Sequence, residues 1–330
     1  LKITSYNDLL SEYIAFKGDA LDKEYLKFSI DDIVNGQKRN KSANNNPDVS
    51  DRFTSPINFQ NFLLQILRVQ TSNNEYALDD KRLIDFFRKE LRHKTAEEKK
   101  TFATEFLFNL LKGKWLLDTY IIKRQFLANK EGWSVLKLKT KDGSKGYYVN
   151  TFGDDNNWDN EYIVMLLSMF HVSTPTMIYK HWLNAALYYL FNEDNITAES
   201  YRLHLEMVAK QLICFRFLNP DAKNKLDYFT LTYNNAEISK EFPIIQYDNK
   251  LLTYGCIENN LIFNFLDYII WCNSDEEVVA NSEFTFRSSV EHYYPQNPIG
   301  GKPLNDQNVL NSFGNLCLIS HHKNSRLRIS

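Results

Sequence analysis

The residues best suited to chemistry lie near the end of the chain. They read Val290-Glu291-His292-Tyr293-Tyr294-Pro295, then Phe313-Gly314-Asn315-Leu316, then His321-His322-Lys323-Asn324-Ser325. A histidine changes charge near neutral pH, so His292 can take up a proton under ordinary conditions. A hard cation such as Mg²⁺ prefers oxygen ligands and keeps several of its waters. Glu291 offers a carboxylate and Asn324 an amide oxygen. The order is an acid and a histidine, an asparagine 23 residues after the histidine, and a second asparagine nine residues later. From Ile299 to Ser330 the basic residues Lys302, Lys323, Arg326 and Arg328 stand against one acid, Asp306. Such a local excess suits contact with phosphate. His321 and His322 could touch phosphate or metal, or simply open a solvated helix.

Other candidates are weaker. Asp154, Asp155 and Asp159 flank Trp158, but their spacing and the glycine position do not fit an EF-hand loop. His171, His181 and His204 have no partner at metal-ligand spacing and read as packing or surface residues. Arg88, Lys89, Arg92, His93 and Lys94 form a basic cluster that could track DNA or form a solvated helix face. There is no Walker A or G-x-G-x-x-G run.

The elements that must position these residues are mostly helical. Ser55-Pro56 predicts a helix start, followed by Phe59, Phe62, Leu63, Ile66 and Leu67 at helical spacing. Thr95 and Glu98 form a capping-box pattern ahead of Phe102, Phe106, Leu110 and Leu111. Thr174-Pro175 predicts a second cap, opening a helix over 177–191. Ile262, Phe265, Leu266, Ile269 and Ile270 make a further apolar face. Two regions break this pattern. Residues 133–140 and 146–152, around Asp142-Gly143, read as a β-hairpin. Residues 284–292 alternate and read as a strand, with a second short strand over 314–320 and a helix start after His321. The fold class is therefore mainly α, with a helical body, one small hairpin and a C-terminal ββα unit. The expected divisions are an N-terminal helical region, 1–128, containing a polar linker, 36–51; a second helical region, 129–282, containing the hairpin, 133–152; and the C-terminal unit, 283–330.

Length and composition agree with this reading. The 330 residues are about two domains' worth of chain. With only 11 glycines and 8 prolines, linker-dominated and turn-rich classes fit poorly. The 23 phenylalanines and 19 tyrosines point instead to large packed cores. The 39 basic and 41 acidic residues exclude a uniformly basic coat, not a local basic patch. Cys214, Cys256, Cys272 and Cys317 are widely spaced, which favours reduced thiols and a cytoplasmic location over a zinc ribbon or disulfide framework. No apolar run is long enough to span a membrane. The chain begins at Leu1 and reads as an excerpt from something longer.

The ordered set at the end of the chain resembles the HNH, or ββα-metal, nucleases. More closely, it is similar to the C-terminal nuclease domain of the GmrSD-type modification-dependent restriction endonucleases, with their E-H-x-x-P…G-N-L…N-S pattern. The similarity extends upstream through residues 55–68, 117–123 and 169–183. The resemblance implies a metal-dependent DNA endonuclease that hydrolyses phosphodiester bonds in defence against foreign or modified DNA. It implies that His292 is the base, that Asn315 holds the turn and orients it, and that Glu291 and Asn324 hold a divalent ion, Mg²⁺ or alternatively Mn²⁺. Double-stranded DNA would meet Lys302, His322, Lys323, Arg326 and Arg328. A ParB-like nucleotide-binding domain or subunit is implied as a partner missing from this chain. Asn35-Gly36-Gln37-Lys38-Arg39 is a faint match to that half's D-G-Q-Q-R motif, and reads as chance. The family's last helix continues beyond Asn324, whereas this chain stops at Ser330, so the resemblance implies a truncated unit. The competing reading is a non-catalytic helical scaffold that binds DNA or a partner subunit.

Overall fold

A computed structural model describes residues 53–127, 130–139, 146–153, 158–221, 225–233 and 248–320. The expected linker, 36–51, the Asn35–Arg39 motif, Asp154, Asp155, the Asp142-Gly143 turn and everything after Ser320 lie outside the described residues. The protein is mainly helical, with three small antiparallel sheets among the described residues. Among those residues no helix is long and apolar enough to cross a membrane.

After a short strand, β1 (Phe53–Thr54), comes helix α1 (Phe59–Thr71). Its cap is Asn58, whose side chain accepts from the Asn61 N–H, and not the expected Ser55. The Ser55 hydroxyl instead accepts from the Ile57 N–H, which spends it on the turn before the helix. Helices α2 (Leu83–Leu91) and α3 (Ala96–Tyr120) follow. Here the sequence signal holds: Thr95 and Glu98 form both arms of a capping box. Gly113 lets α3 approach α1, since a Cβ there would lie 2.3 Å from Ile66 Cδ1.

The expected hairpin is split. Its first half breaks at the fully buried Val135 into β3 (Lys130–Ser134) and β4 (Leu136–Lys139). Strand β4 pairs with β5 (Tyr147–Asn150), as the sequence suggests. Strand β3 pairs instead with β2 (Lys123–Leu127), which also carries β1 on its other edge. Val135 thus separates a strand of one sheet from a strand of the next.

Helices α4 (Asp159–Ser173), α5 (His181–Asn192) and α6 (Ala198–Gln211) form the centre. A π-helical turn, Leu212–Phe217, extends α6. The Thr174-Pro175 signal does not open α5. The Thr174 hydroxyl and N–H both return to Phe170 O, closing α4, and a single 3₁₀ turn, Met177–Tyr179, intervenes. The body is completed by α7 (Tyr228–Tyr233), α8 (Leu261–Asn273) and α9 (Glu277–Ala280). One buried core runs from Ile57 to Phe284 through all of these regions.

The C-terminal segment contains β6 (Ser289–His292), a short α10 (Gln307–Leu310) and β7 (Leu316–Ile319). The strand expected over 284–292 forms only in its last four residues. Its alternation before that serves anchoring. Phe284 is buried in the main core, its carbonyl accepts from Trp133 Nε1 at 2.8 Å, and Arg124 pairs with Glu283. Arg287 donates to Asp267 Oδ2 at 2.7 Å and to Asn264 Oδ1 at 3.0 Å.

Three histidines, read from the sequence as packing or surface residues, lie on the helical body, His171 buried and His181 and His204 partly buried. Burial, with Lys180 and Arg124 nearby, pushes His171 down to about 3. Burial, with Arg68 and Arg216 nearby, does the same to His181, and burial brings His204 to about 4. The unfolded chain binds protons at these sites below about pH 6.5, and the folded chain does not, so stability falls as pH drops from there. Denaturant unfolding should show a lower midpoint at pH 5 than at pH 7. His204→Phe, which keeps a ring against Tyr189, should narrow that difference.

Candidate active site

Strands β6 and β7 pair antiparallel, with Glu291 opposite Cys317 and His292 opposite Leu316. The site is therefore the end of a two-stranded ribbon. Immediately beyond it, the Tyr293 N–H donates to Asn315 O at 2.8 Å. The Asn315 side chain then locks the turn on both sides. Its Oδ1 accepts from the Tyr294 N–H at 2.8 Å, and its Nδ2 donates to Tyr294 O at 3.2 Å and Leu310 O at 2.8 Å.

The ring of His292 bonds not to Asn315 but to Asn311, with 3.0 Å between Nε2 and Oδ1. A carboxamide oxygen only accepts, so Nε2 carries the proton. In the neutral ring Nδ1 then holds the lone pair, and it is Nδ1 that can take a proton from water. The Tyr254 ring packs against the imidazole at 4.3 Å between centroids, tilted by 37°. Neither Asn311 nor Tyr254 stands out in the sequence. Both act across long stretches of chain; the only local signal is the Tyr254-Gly255 turn.

Glu291 and His292 are both partly buried at the rim. The Glu291 carbonyl accepts from Cys317 Sγ at 3.6 Å. Burial first, and the Glu291 charge second, push the Cys317 thiol up, which keeps it protonated. Lys302 is exposed in the loop between the strands, with its carbonyl bound by the Tyr294 hydroxyl at 2.7 Å. Asn324, His322, Lys323, Arg326 and Arg328 lie outside the described residues. Glu291, His292, Asn315 and Lys302 thus share one small unit. Among the described residues no group of three His, Cys, Asp or Glu side chains is arranged to hold a metal. A Mg²⁺ ion needs only one or two carboxylates when phosphate and water fill its shell.

The remaining sequence candidates settle elsewhere. Asp159 is the first residue of α4, where an acid complements the helix N-terminus. In the basic cluster, Lys89 pairs with Glu75 and Lys94 with Glu90, while Arg88 and Arg92 border a groove on α2.

No family model matches this chain, and neither does any curated protein or solved structure. The functional reading therefore stands on the chemistry of the site.

Asn315→Ala would strip the turn of these bonds. The loss should cost about 1–3 kcal/mol locally, because partly buried groups are left unpaired. Hydrogen exchange should accelerate at the Tyr294 amide, with helices α4 and α5 unaffected.

Proposed function

We propose that the chain is a metal-dependent DNA endonuclease of the HNH type. The observation that carries this reading is the placing of His292, its Nε2 held by Asn311, one residue from Glu291 at a strand end. In this reading Nδ1 of His292 accepts a proton from the water that attacks the phosphorus of a DNA phosphodiester. Glu291, with Asn324, holds a divalent ion, Mg²⁺ or Mn²⁺. That ion, when bound, offsets charge on the phosphate and the leaving oxygen. Asn315 keeps the turn closed, and Lys302, with the basic residues after Ser320, contacts the DNA backbone. The resemblance further supports a cytoplasmic role in defence against foreign or modified DNA, with a ParB-like nucleotide-binding partner.

The test uses supercoiled plasmid with Mg²⁺, Mn²⁺ or EDTA. Cleavage should require the metal. His292→Ala should lower it by roughly 10²–10⁴-fold, as for loss of a general base. Glu291→Gln should weaken metal binding more than DNA binding, measured by calorimetry. Wild-type cleavage by a folded His292→Ala protein would remove the assignment.

One observation favours the scaffold reading. A groove of about 500 Å³ between α1, α2 and the start of α3 has an apolar floor, including Leu63, Ile84 and Phe87. Arg88, Arg92 and Lys99 stand around it. If this groove binds DNA or an acidic subunit, Arg92→Glu with Lys99→Glu should weaken binding and flatten its salt dependence, without altering His292-dependent chemistry.

A further inference from the structure

The loop that carries Tyr254 belongs to the helical body, 38 residues before His292. Cys256 N–H donates to Thr253 O at 3.0 Å, and Gly255 has φ +80°. This is the pattern of a type II turn, in which the third position needs a positive φ and so favours glycine. Tyr254 occupies the second position, at the apex. Its backbone N–H donates to Asn311 O at 2.9 Å, while its ring lies against His292. Asn311 in turn holds Nε2 of the same imidazole. One turn of the body therefore grips both the histidine and the residue that sets its tautomer.

We propose that Tyr254 and Asn311 are positioning residues for His292, so that the helical body completes the site rather than merely carrying it. The proposal rests on the reading of His292 as the base. Asn311 fixes which ring nitrogen bears the proton. Tyr254 fixes the plane of the ring and, through its N–H, the place of Asn311. A base misdirected by about 1 Å can lose about 10²-fold in rate with binding intact. The ring of Tyr254 does this work and its hydroxyl is not needed for it.

Gly255→Ala isolates the device. A Cβ at Gly255 meets no atom within 4 Å, so the substitution acts only through the strained φ. The experiment compares Tyr254→Phe, Tyr254→Ala, Gly255→Ala and Asn311→Ala in the full chain. Each is followed by plasmid cleavage and by ¹⁵N NMR of the His292 ring. Tyr254→Phe should behave as wild type. Tyr254→Ala and Gly255→Ala should lower kcat by about 10- to 100-fold with KM unchanged. Asn311→Ala should turn the single Nε2–H tautomer into a mixture. Unchanged ring signals in both Tyr254→Ala and Asn311→Ala would overturn the proposal. Wild-type cleavage by His292→Ala would instead remove the assignment of His292 as the base, and the ring spectra would still decide whether Tyr254 and Asn311 hold the imidazole.

Discussion

The buried ammonium of Lys180 is the constraint around which the body is arranged. A charge removed from water must find dipoles or neutralise. Lys180 is fully buried, and its Nζ lies 3.0 Å from His171 Nδ1 and 3.1 Å from Thr174 O. Both partners sit at the C-terminus of α4, where helix carbonyls face outward and favour a cation. Burial lowers Lys180 to about 8, so it remains mostly charged at neutral pH. The same residue's carbonyl accepts from Gln65 Nε2 on α1, and Asn184 of α5 donates back to Gln65 O. Three helices are therefore held in register by one polar centre, enclosed by Trp182 and the main core.

From that centre a polar thread leads to the candidate site. Ser173, at the end of α4, accepts from Asn264 Nδ2 at 2.8 Å. Asn264 accepts from Arg287, and the Arg287 carbonyl is bound by Asn260. Two residues later β6 begins. With Phe284 sunk in the core and Phe286 against the His171 ring at 5.4 Å, this strap fixes where β6 enters. The direction of the strand, and so of Glu291 and His292 at its end, is set by the helical body.

How much of this can be read from sequence depends on the range of the interaction. The Thr95–Glu98 capping box is local and legible. The apolar face expected on α8 is only half right: Ile262 and Phe265 are buried, but Leu266, Ile269 and Ile270 are exposed and the helix buries Leu261, Phe263, Tyr268 and Trp271 instead. The Glu291-His292 pair and Asn315 are legible as a motif, and in the fold Glu291 lies opposite Cys317 and His292 opposite Leu316, with Asn315 just before the second strand. Strand β2 is not legible, because Lys123-Arg124-Gln125 reads as solvated surface. In the fold the Lys123 ammonium is buried between the Phe53 and Tyr148 rings, donating to Asp118 O and Leu136 O. Lys180 misleads in the same way: nothing in its neighbours in sequence marks it as interior. Phe284 and Phe286 alternate like strand residues, yet their partners are Trp133 and His171, more than a hundred positions earlier. Asn311 and Tyr254 escape for the same reason.

The small size of the C-terminal unit explains why its site draws on the body. Two strands of four residues bury too little to stand alone, since isolated hairpins are marginal in water. The unit's own buried cluster is Leu316 and Leu318, and it closes only by adding Phe263 from α8. Phe263 meets Phe313 at 4.7 Å, just ahead of Asn315. Helix α8 therefore supplies the floor beneath the turn, and the Tyr254 turn supplies a wall beside the histidine. A ribbon this short has no internal means of fixing a side chain tightly. The rigidity has to come from outside it, and among the described residues it comes from the helical core built around Lys180.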